Sequence, residues 1–583
     1  MNRQSRFLLV AVIVLGLSAL FWWNDQAPRK PGLIQAQTAP VARGGTLVAS
    51  LRSEPRSFNR LVSRDAATEV VALLTQARLV RVNRATQQLE PWLAEQWTAS
   101  PDGLVYTLGL REGLQWSDGT PFTSADVVFT FNAVFDPRTK SVLASNLEVE
   151  GQALTAAAPD ARTVVVTFPR PFGPGIRLLD NLVILPKHRL EAAVTAGTMA
   201  QAWTPATPPA DIVGMGPFVL SSYEPGQRLT FTRNPHYWRR DEAGEPLPYL
   251  DGVVFEIVPD QNAELLRLQS GQIDMTQQQL RAEDYAVARD LERKGVLVMQ
   301  EAGVGLDPDV FFFNLRPAAW AKDPRGKWLA TDAFRQAISH AIDREAYANT
   351  VFLGAAVPVH GPVTPGNKEW FWPDVPRYQF DPAKARALLG GLGLANRDDD
   401  PWLEDASGTD ARFTMLVFKG NTSLERGAQV LKESLESIGV AVDVAPLEQG
   451  ALIERLLAGN FEAIFFYYVA SDTDPAMQRD FWLSSGSAHI WNISQASPAT
   501  PWEAQIDDLM TRQAASVDAS ERVRLFRDVQ RVFSEHLPAL YFAAPRVYLA
   551  VSTRVRNLTP GVNRPQLLWS ADTLAVTPAA TSR

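Results

Sequence analysis

The chain has 583 residues, which is long enough for three or four domains and a large buried core. Hydrophobic residues make up 46% of it, so disorder is excluded as the default state. The 56 Lys and Arg and 64 Asp and Glu are dispersed, with a net charge of −8, which excludes the clustered basic face that nucleic-acid binding requires.

Cysteine is absent from the sequence. This absence excludes disulfides, thiolate nucleophiles, Cys-based zinc sites and the acylated cysteine of bacterial lipoproteins. An exported protein of this composition depends on its hydrophobic core alone for stability.

The N-terminus resembles an export signal. Arg3 and Arg6 precede an apolar run from Phe7 to Trp23, and no A-x-A cleavage site follows closely. Residues 1–23 are therefore predicted to be either a cleaved signal peptide or a retained anchor. A buried core helix fits less well, because charges flank only one side. Residues 24–43, rich in Pro, Ala and Gln, are predicted to be a linker, and the rest of the chain to be periplasmic, with anchoring by residues 7–23 left open.

Helix and strand signals then alternate along the chain. Residues 45–51 predict a strand, and Thr123 with Asp126 forms a capping-box pattern before a helix that ends ahead of Pro137. Short β patterns and turns are found from 102 to 166. Asp332 is predicted to cap a second helix.

The segment from 428 to 467 predicts the fold class. Its pattern indicates a helix ending at Gly439, a strand over 440–444, a helix ending at Gly459 and a continuous apolar strand over 463–467. Short connections between such elements imply crossover units and a parallel or mixed sheet with helices on its faces. The chain is therefore predicted to be an α/β protein with additional β-rich parts, in more than one lobe.

Catalytic and metal-binding motifs were sought and none was found. The sequence lacks a phosphate-binding P-loop, an H-E-x-x-H zinc motif and a G-x-S-x-G nucleophile elbow. No two of the six histidines share a helical turn. We therefore predict no catalytic residue, no metal and no cofactor. Sixteen Trp are present, and a minority are expected to line a ligand cleft rather than fill cores.

Several segments, in order along residues 44–560, resemble the family-5 extracellular solute-binding proteins, which include peptide-binding proteins. The most specific are Leu89 to Trp97 and Trp116 to Phe129, which resemble the family signature. Further similar segments are Gly214-Met215-Gly216-Pro217-Phe218, Arg233 to Trp238, Leu268 to Asp274 and Ala341 to Arg344.

The resemblance implies a two-lobed periplasmic binding protein-like fold of type II, with a hinge between the lobes and an extra β-rich domain. It implies a discontinuous domain I from residues 44–62, 212–302 and 540–575. Domain II would comprise residues 63–211, domain III residues 303–539, and 576–583 a tail. The lobes would close over a ligand, and the closed form would be recognised by the permease of an ABC importer.

The resemblance also implies ligand-binding residues. In peptide-binding members a buried aspartate at a D-x-x-[DE]-P motif, four residues before the proline, binds the peptide's α-ammonium. In this sequence Ser471 occupies that aspartate's position, Asp472 follows it, and Asp474 precedes Pro475. Asp472 is predicted to be the anchor after a loop adjustment, with Ser471, Asp474, Tyr468 and Trp491 as further ligand contacts. The alternative for Asp472 and Asp474 is turn capping ahead of Pro475.

The predicted function is that of the solute-binding component of an ABC importer, acting as a monomer on oligopeptides or a related small solute. The departure at Ser471 leaves non-peptide solutes open, because other members of the family bind nickel complexes, haem, sugars or opines. A membrane-tethered sensor built on the same clamp is the alternative from a different class, and a hydrolase is the least supported. No nucleic acid is expected as a partner, and the membrane is expected to be contacted only by the N-terminal segment.

Overall fold

The structure is a computed structural model that describes residues 43–276, 278–398, 400–468 and 472–577. The predicted signal or anchor, most of the linker and Ser471 lie outside these residues. The strands are β1 Thr46–Leu51, β2 Val80–Val82, β3 Leu89–Pro91, β4 Ala94–Ala99, β5 Val105–Leu110, β6 Glu148–Val149, β7 Gln152–Ala153, β8 Thr155–Asp160, β9 Thr163–Thr167, β10 Phe218–Glu224, β11 Arg228–Arg233, β12 Gly252–Ile257, β13 Leu297–Val304, β14 Asp309–Phe313, β15 Ala356–Pro358, β16 Arg412–Phe418, β17 Ala441–Leu447, β18 Ala463–Tyr467, β19 Ala539–Tyr541, β20 Ala543–Ser552, β21 Val555–Arg556 and β22 Ala575–Val576.

The helices lie between these strands. They are α1 Ala66–Thr75, α2 Ser124–Phe135, α3 Lys187–Thr195, α4 Gln261–Gln269, α5 Tyr285–Arg293, α6 Gly326–Leu329, α7 Asp332–Ala341, α8 Arg344–Val351, α9 Pro382–Gly391, α10 Thr422–Glu436, α11 Gln449–Ala458, α12 Arg479–Trp482, α13 Pro501–Ala515 and α14 Ala519–His536. None of the helices within the described ranges combines the length and apolar character that crossing a membrane requires.

The first lobe contains two four-stranded sheets. One has the order β1-β12-β11-β10, with β1 parallel to β12, and the other has the order β4-β5-β9-β8. One large apolar core, which includes Leu47, Phe231, Phe255 and Trp116, packs against both of them. The C-terminal segment after β20 returns to this core through Leu567 and neighbouring residues. We call residues 43–304 and 546–577 the N-terminal lobe.

The second lobe is built on a mixed five-stranded sheet of order β17-β16-β18-β14-β19. Strand β16 is parallel to β17 and β18, whereas β14 is antiparallel to β18 and β19. All five residues of β14 are buried, because separate apolar clusters cover the two faces of the sheet. This arrangement confirms the α/β prediction for this region. We call residues 305–545 the C-terminal lobe.

Strand β20 joins the two lobes. Its first residues, Ala543–Pro545, pair with β15 of the C-terminal lobe, and Arg546–Ser552 pair with β13 of the N-terminal lobe. The chain passes to the C-terminal lobe directly after β13, so both crossings lie side by side. Two adjacent crossings are the arrangement through which a two-lobed protein can bend.

The predicted helix ends can be compared with the observed caps. Helix α2 has the predicted capping box of Thr123 and Asp126, and the chain leaves α11 at Gly459 in a left-handed conformation. The predicted cap of α7 was wrong by one residue. Thr331, not Asp332, accepts the capping bond from the Phe334 backbone, because Asp332 is already the first helical residue.

Candidate functional site

Two adjacent cavities lie between the lobes. The larger, of about 420 Å³, is lined from the N-terminal lobe by residues such as Arg52, Gln278 and Tyr285, and from the C-terminal lobe by Asn421 and Tyr467. Its volume lies within the range of small-molecule sites. It reaches the amino end of α10, where the Asn421 side chain caps the helix.

The second cavity has a volume of about 380 Å³ and continues from the first, since the two share six lining residues. Its N-terminal-lobe wall carries Arg60, Arg64, Arg78 and Arg84 together with Glu69 and Asp180. Its C-terminal-lobe wall includes Asp472. The two cavities together form one elongated space, which we call the cleft.

Asp472 lies at this cleft but is already paired. Its side chain is 9% exposed, Nε of Arg177 donates to its Oδ1 at 3.0 Å, and Nη2 of Arg177 lies 2.9 Å from the same atom. Asp472 Oδ1 also accepts from the backbone N–H of Asp474 at 2.9 Å. This carboxylate therefore faces a cation and also stabilises the turn, which was the alternative prediction. The cation is Arg177 of the protein itself, and contact of Asp472 with a ligand stays a prediction.

Arg177 connects the lobes. It belongs to the 3₁₀ helix Gly175–Asn181 of the N-terminal lobe, and its Nη2 donates to Thr473 Oγ1 at 2.8 Å. Burial alone would lower its pKa, but the charge of Asp472 raises the pKa above its ordinary value. The guanidinium is thus held charged in a buried pair that spans the two lobes.

A loop of the N-terminal lobe extends this contact. Gln87 is 2% exposed, has a positive φ of 67°, and contacts the C-terminal lobe through its side chain. Its Nε2 donates to the Gly366 carbonyl at 2.7 Å, and its Oε1 accepts from the Lys368 backbone at 2.9 Å. Asn367 in turn donates to the Thr473 carbonyl at 2.8 Å.

The opposite rim of the cleft is also bridged. Thr422, at the start of α10, donates to Glu283 of the N-terminal lobe at 2.8 Å, and Arg426 lies 3.8 Å from the same carboxylate. Lobe-to-lobe contacts therefore lie at both ends of the cleft. This structure consequently represents a closed arrangement of the two lobes.

Asp474 is placed by structural contacts. It caps the 3₁₀ helix Pro475–Gln478 through the backbone N–H of Ala476, and Arg522 donates to its Oδ1 at 2.6 Å. Both charged side chains of this pair are nearly buried. The alternative of turn capping describes Asp474 well, and its contact with a ligand stays a prediction.

Tyr468 and Trp491 lie in the C-terminal lobe, behind Asp472. Tyr468 packs on Phe481 and lines a cavity of only about 40 Å³, which admits water but not a solute. Burial raises the pKa of Tyr468 to about 12. Trp491 is 1% exposed and packs against His489 and Phe533, so its ring belongs to the core in this structure. Ligand contact by either ring, and by Ser471 outside the described residues, stays a prediction.

Several residues at the cleft were not predictable from the sequence. Arg78, Arg177 and Gln278 follow no motif, and their place at the cleft depends on long-range contacts; Arg177 and Asp472, for example, are 295 positions apart. The paired glycines and prolines around residue 173 give one usable signal. The backbone N–H of Gly173 donates to Ala514 of the other lobe at 2.6 Å, and a Cβ at this position would lie 2.4 Å from the Ser516 carbonyl.

Asp309 at the cleft floor gives a pH prediction. Burial raises its pKa to about 7, although Tyr347 donates to its Oδ2 at 2.6 Å. An aspartate in the unfolded chain titrates near pH 3.9, so the folded state retains a proton that the unfolded state loses. The contribution of Asp309 to the free energy of unfolding should therefore decrease from about pH 4 to about pH 7 and stay constant above.

The Asp309→Asn variant should lack this decrease. Urea unfolding of both proteins at pH 4, 6 and 8 should show the variant gaining stability relative to the wild type as the pH rises. Identical pH dependence of the two proteins would show that Asp309 is already ionised at low pH in the fold.

One cluster of three acidic residues within the described ranges has the spacing of metal ligands. Oxygen atoms of Asp398, Asp400 and Glu404 lie within 4.8 Å of one another. None of these residues lines the cleft.

The fold and the cleft define a two-lobed solute-binding protein. The family model described as bacterial extracellular solute-binding proteins, family 5 Middle, matches residues 88–489, and the chain belongs to this family.

Similar proteins cover nearly the whole chain. A probable ABC transporter-binding protein of Deinococcus radiodurans is 28% identical over 92% of this chain and 91% of the relative. The dipeptide-binding protein of Escherichia coli is 26% identical over 90% and 94%. The crystal structure of the ABC transporter substrate-binding protein CtaP of Listeria monocytogenes has a TM-score of 0.75 and 24% identity, covering 92% of this chain and all of that one.

Proposed function

We propose that the protein binds a peptide or a related small solute in the cleft between its lobes and delivers it to the permease of an ABC importer. The observation that carries this proposal is the position of the cleft. Residues of both lobes line it, and lobe-to-lobe contacts bridge both of its ends. The relatives named as ABC transporter-binding and dipeptide-binding proteins support the same assignment.

Closure is the step that couples binding to delivery. A solute that contacts both walls interacts with the closed form and loses half of those contacts in the open form. It therefore shifts the population toward the closed form by its differential affinity. Arg177, Gln87 and Glu283 add contacts that exist only when the lobes meet.

The protein acts in the periplasm as a monomer, without covalent chemistry, and residues 7–23 either direct its export or anchor it. The three-domain division at residues 62, 211, 302 and 539 places the Arg-rich wall mainly in domain II and Asp472 in domain III. N-terminal sequencing of the exported protein tests the anchor, because a start between Gln35 and Ala42 indicates a freely diffusing protein.

Binding is tested by native mass spectrometry and thermal unfolding of protein purified without refolding. We expect a co-purified solute, and we expect a mixed pool of di- and tripeptides to raise the stability of the stripped protein. A ligand at 100 times its Kd stabilises by about 2.7 kcal/mol. A stripped protein that no peptide stabilises would contradict the peptide assignment.

A further inference from the structure

Arg78 lies on the N-terminal-lobe wall of the second cavity. It follows α1, and its main chain is held by contacts to Leu93 and Val183. Its Nε–H is buried and donates to no partner within the described ranges, and no carboxylate there forms an ion pair with its guanidinium. A buried donor in this condition is costly unless something outside the chain satisfies it.

The carboxylates of Asp180 and Glu69, which line the same cavity, already have other partners. Asp180 accepts from the Val82 backbone at 2.9 Å and pairs with Arg84 at 3.3 Å. Glu69 accepts from Arg60 at 2.8 Å and lies 3.8 Å from Arg64. The wall around Arg78 therefore has more guanidinium groups than free carboxylates.

The electrostatics of Arg78 agree with this geometry. Burial lowers its pKa to about 10, and the charges of Arg60 and Arg84 act in the same direction against the attraction of Asp180. An added negative group beside Arg78 would offset both the cost of burying its charge and the repulsion from Arg60 and Arg84.

The carboxylate across the cleft is not available to a ligand cation. Asp472 lines the same cavity as Arg78, but Arg177 already occupies it from the N-terminal lobe. A cationic group of a solute would have to displace a buried guanidinium to reach it. This end of the cleft therefore complements negative charge.

We propose that Arg78 is the centre of an oxyanion subsite, where a carboxylate or phosphate group of the bound solute docks. This inference deepens the proposed function and rests on it. A guanidinium offers two parallel N–H donors that match the two oxygens of such a group. The cavity of about 380 Å³ accommodates the group together with the adjoining part of a small solute.

The test compares a peptide with and without its terminal negative charge, and adds two small anions. Calorimetry is performed with tri-alanine, tri-alanine amide, succinate and inorganic phosphate on the wild type and on Arg78→Met, Arg78→Lys and Arg189→Met. Arg189→Met is the matched control, because it removes the same charge from a pair with Asp118 that does not line the cleft. Far-UV circular dichroism and thermal unfolding confirm that each variant folds.

We expect the wild type to bind tri-alanine at least about 10-fold more tightly than its amide. In Arg78→Met this preference should disappear, in Arg78→Lys part of it should return, and Arg189→Met should retain it. If the wild type binds succinate or phosphate but no peptide, and Arg78→Met loses that binding, the result would support the subsite and contradict the peptide assignment. Equal affinity of Arg78→Met and the wild type for every probe, or no anionic probe binding the wild type, would overturn the subsite.

Discussion

The Arg177→Met variant is expected to lose about 3 kcal/mol of closed-state stability, because it leaves Asp472 buried without its charge partner. The loss should be visible as weaker solute affinity and as a lower urea midpoint of the C-terminal lobe. Methionine preserves most of the side-chain volume, so the effect reports the lost pairing rather than a cavity.

Two further variants distinguish the loss of the Arg177–Asp472 pair from general destabilisation of the fold. Arg189→Met removes the same group from a pair with Asp118, where the arginine is 41% exposed, and it should cost less than about 1 kcal/mol. Combining Arg177→Met with Asp472→Leu should recover much of the stability, since an apolar pair replaces a buried ion pair well. A single variant with the stability and affinity of the wild type would show that the Arg177–Asp472 contact does not hold the lobes together.

The second large effect is expected from bridging the rim of the cleft. Cysteines introduced at Glu283 and Thr422 would be the only thiols in the protein, so a short bis-methanethiosulfonate reagent would link the lobes at this site alone. Linking should slow the association of a binding peptide by about 100-fold or more, because the open form that admits solute becomes a minor population.

Reduction of the linker by dithiothreitol should restore the rate. Each single-cysteine variant treated with the same reagent is the control for the loss of the Glu283–Thr422 contact. Peptide loaded before linking should dissociate correspondingly slowly. An unchanged association rate in the fully linked protein would show that solute enters without separation of the lobes.

Local features of the fold were predictable from the sequence, because they depend on neighbouring residues. The capping box of Thr123 and Asp126 and the left-handed end at Gly459 are fixed within one turn of chain. The error of one residue at Asp332 has the same origin. Thr331 and Asp332 are both good caps, and the sequence alone does not rank them.

The site could be predicted only in part. The motif before Pro475 identified the loop that meets the cleft, but its charge partner, Arg177, comes from a segment 295 residues away. Asp474 faces Arg522, and Trp491 is enclosed by core rings, neither of which a motif reveals. Arg78 carries no sequence signal, because what distinguishes it, a buried Nε–H without a hydrogen-bond partner among the described residues, arises only in the folded chain.

Closure over solute is measured most directly as a distance between the lobes. Spin labels on cysteines introduced at Glu112 and Glu448, whose side chains are 83% and 74% exposed, report from the N-terminal and C-terminal lobes. With a peptide that calorimetry shows to bind, double electron–electron resonance should give one narrow distance that matches this structure. Without the peptide it should give a broader distribution at other distances. A single distance that saturating peptide leaves unchanged would contradict the closing clamp.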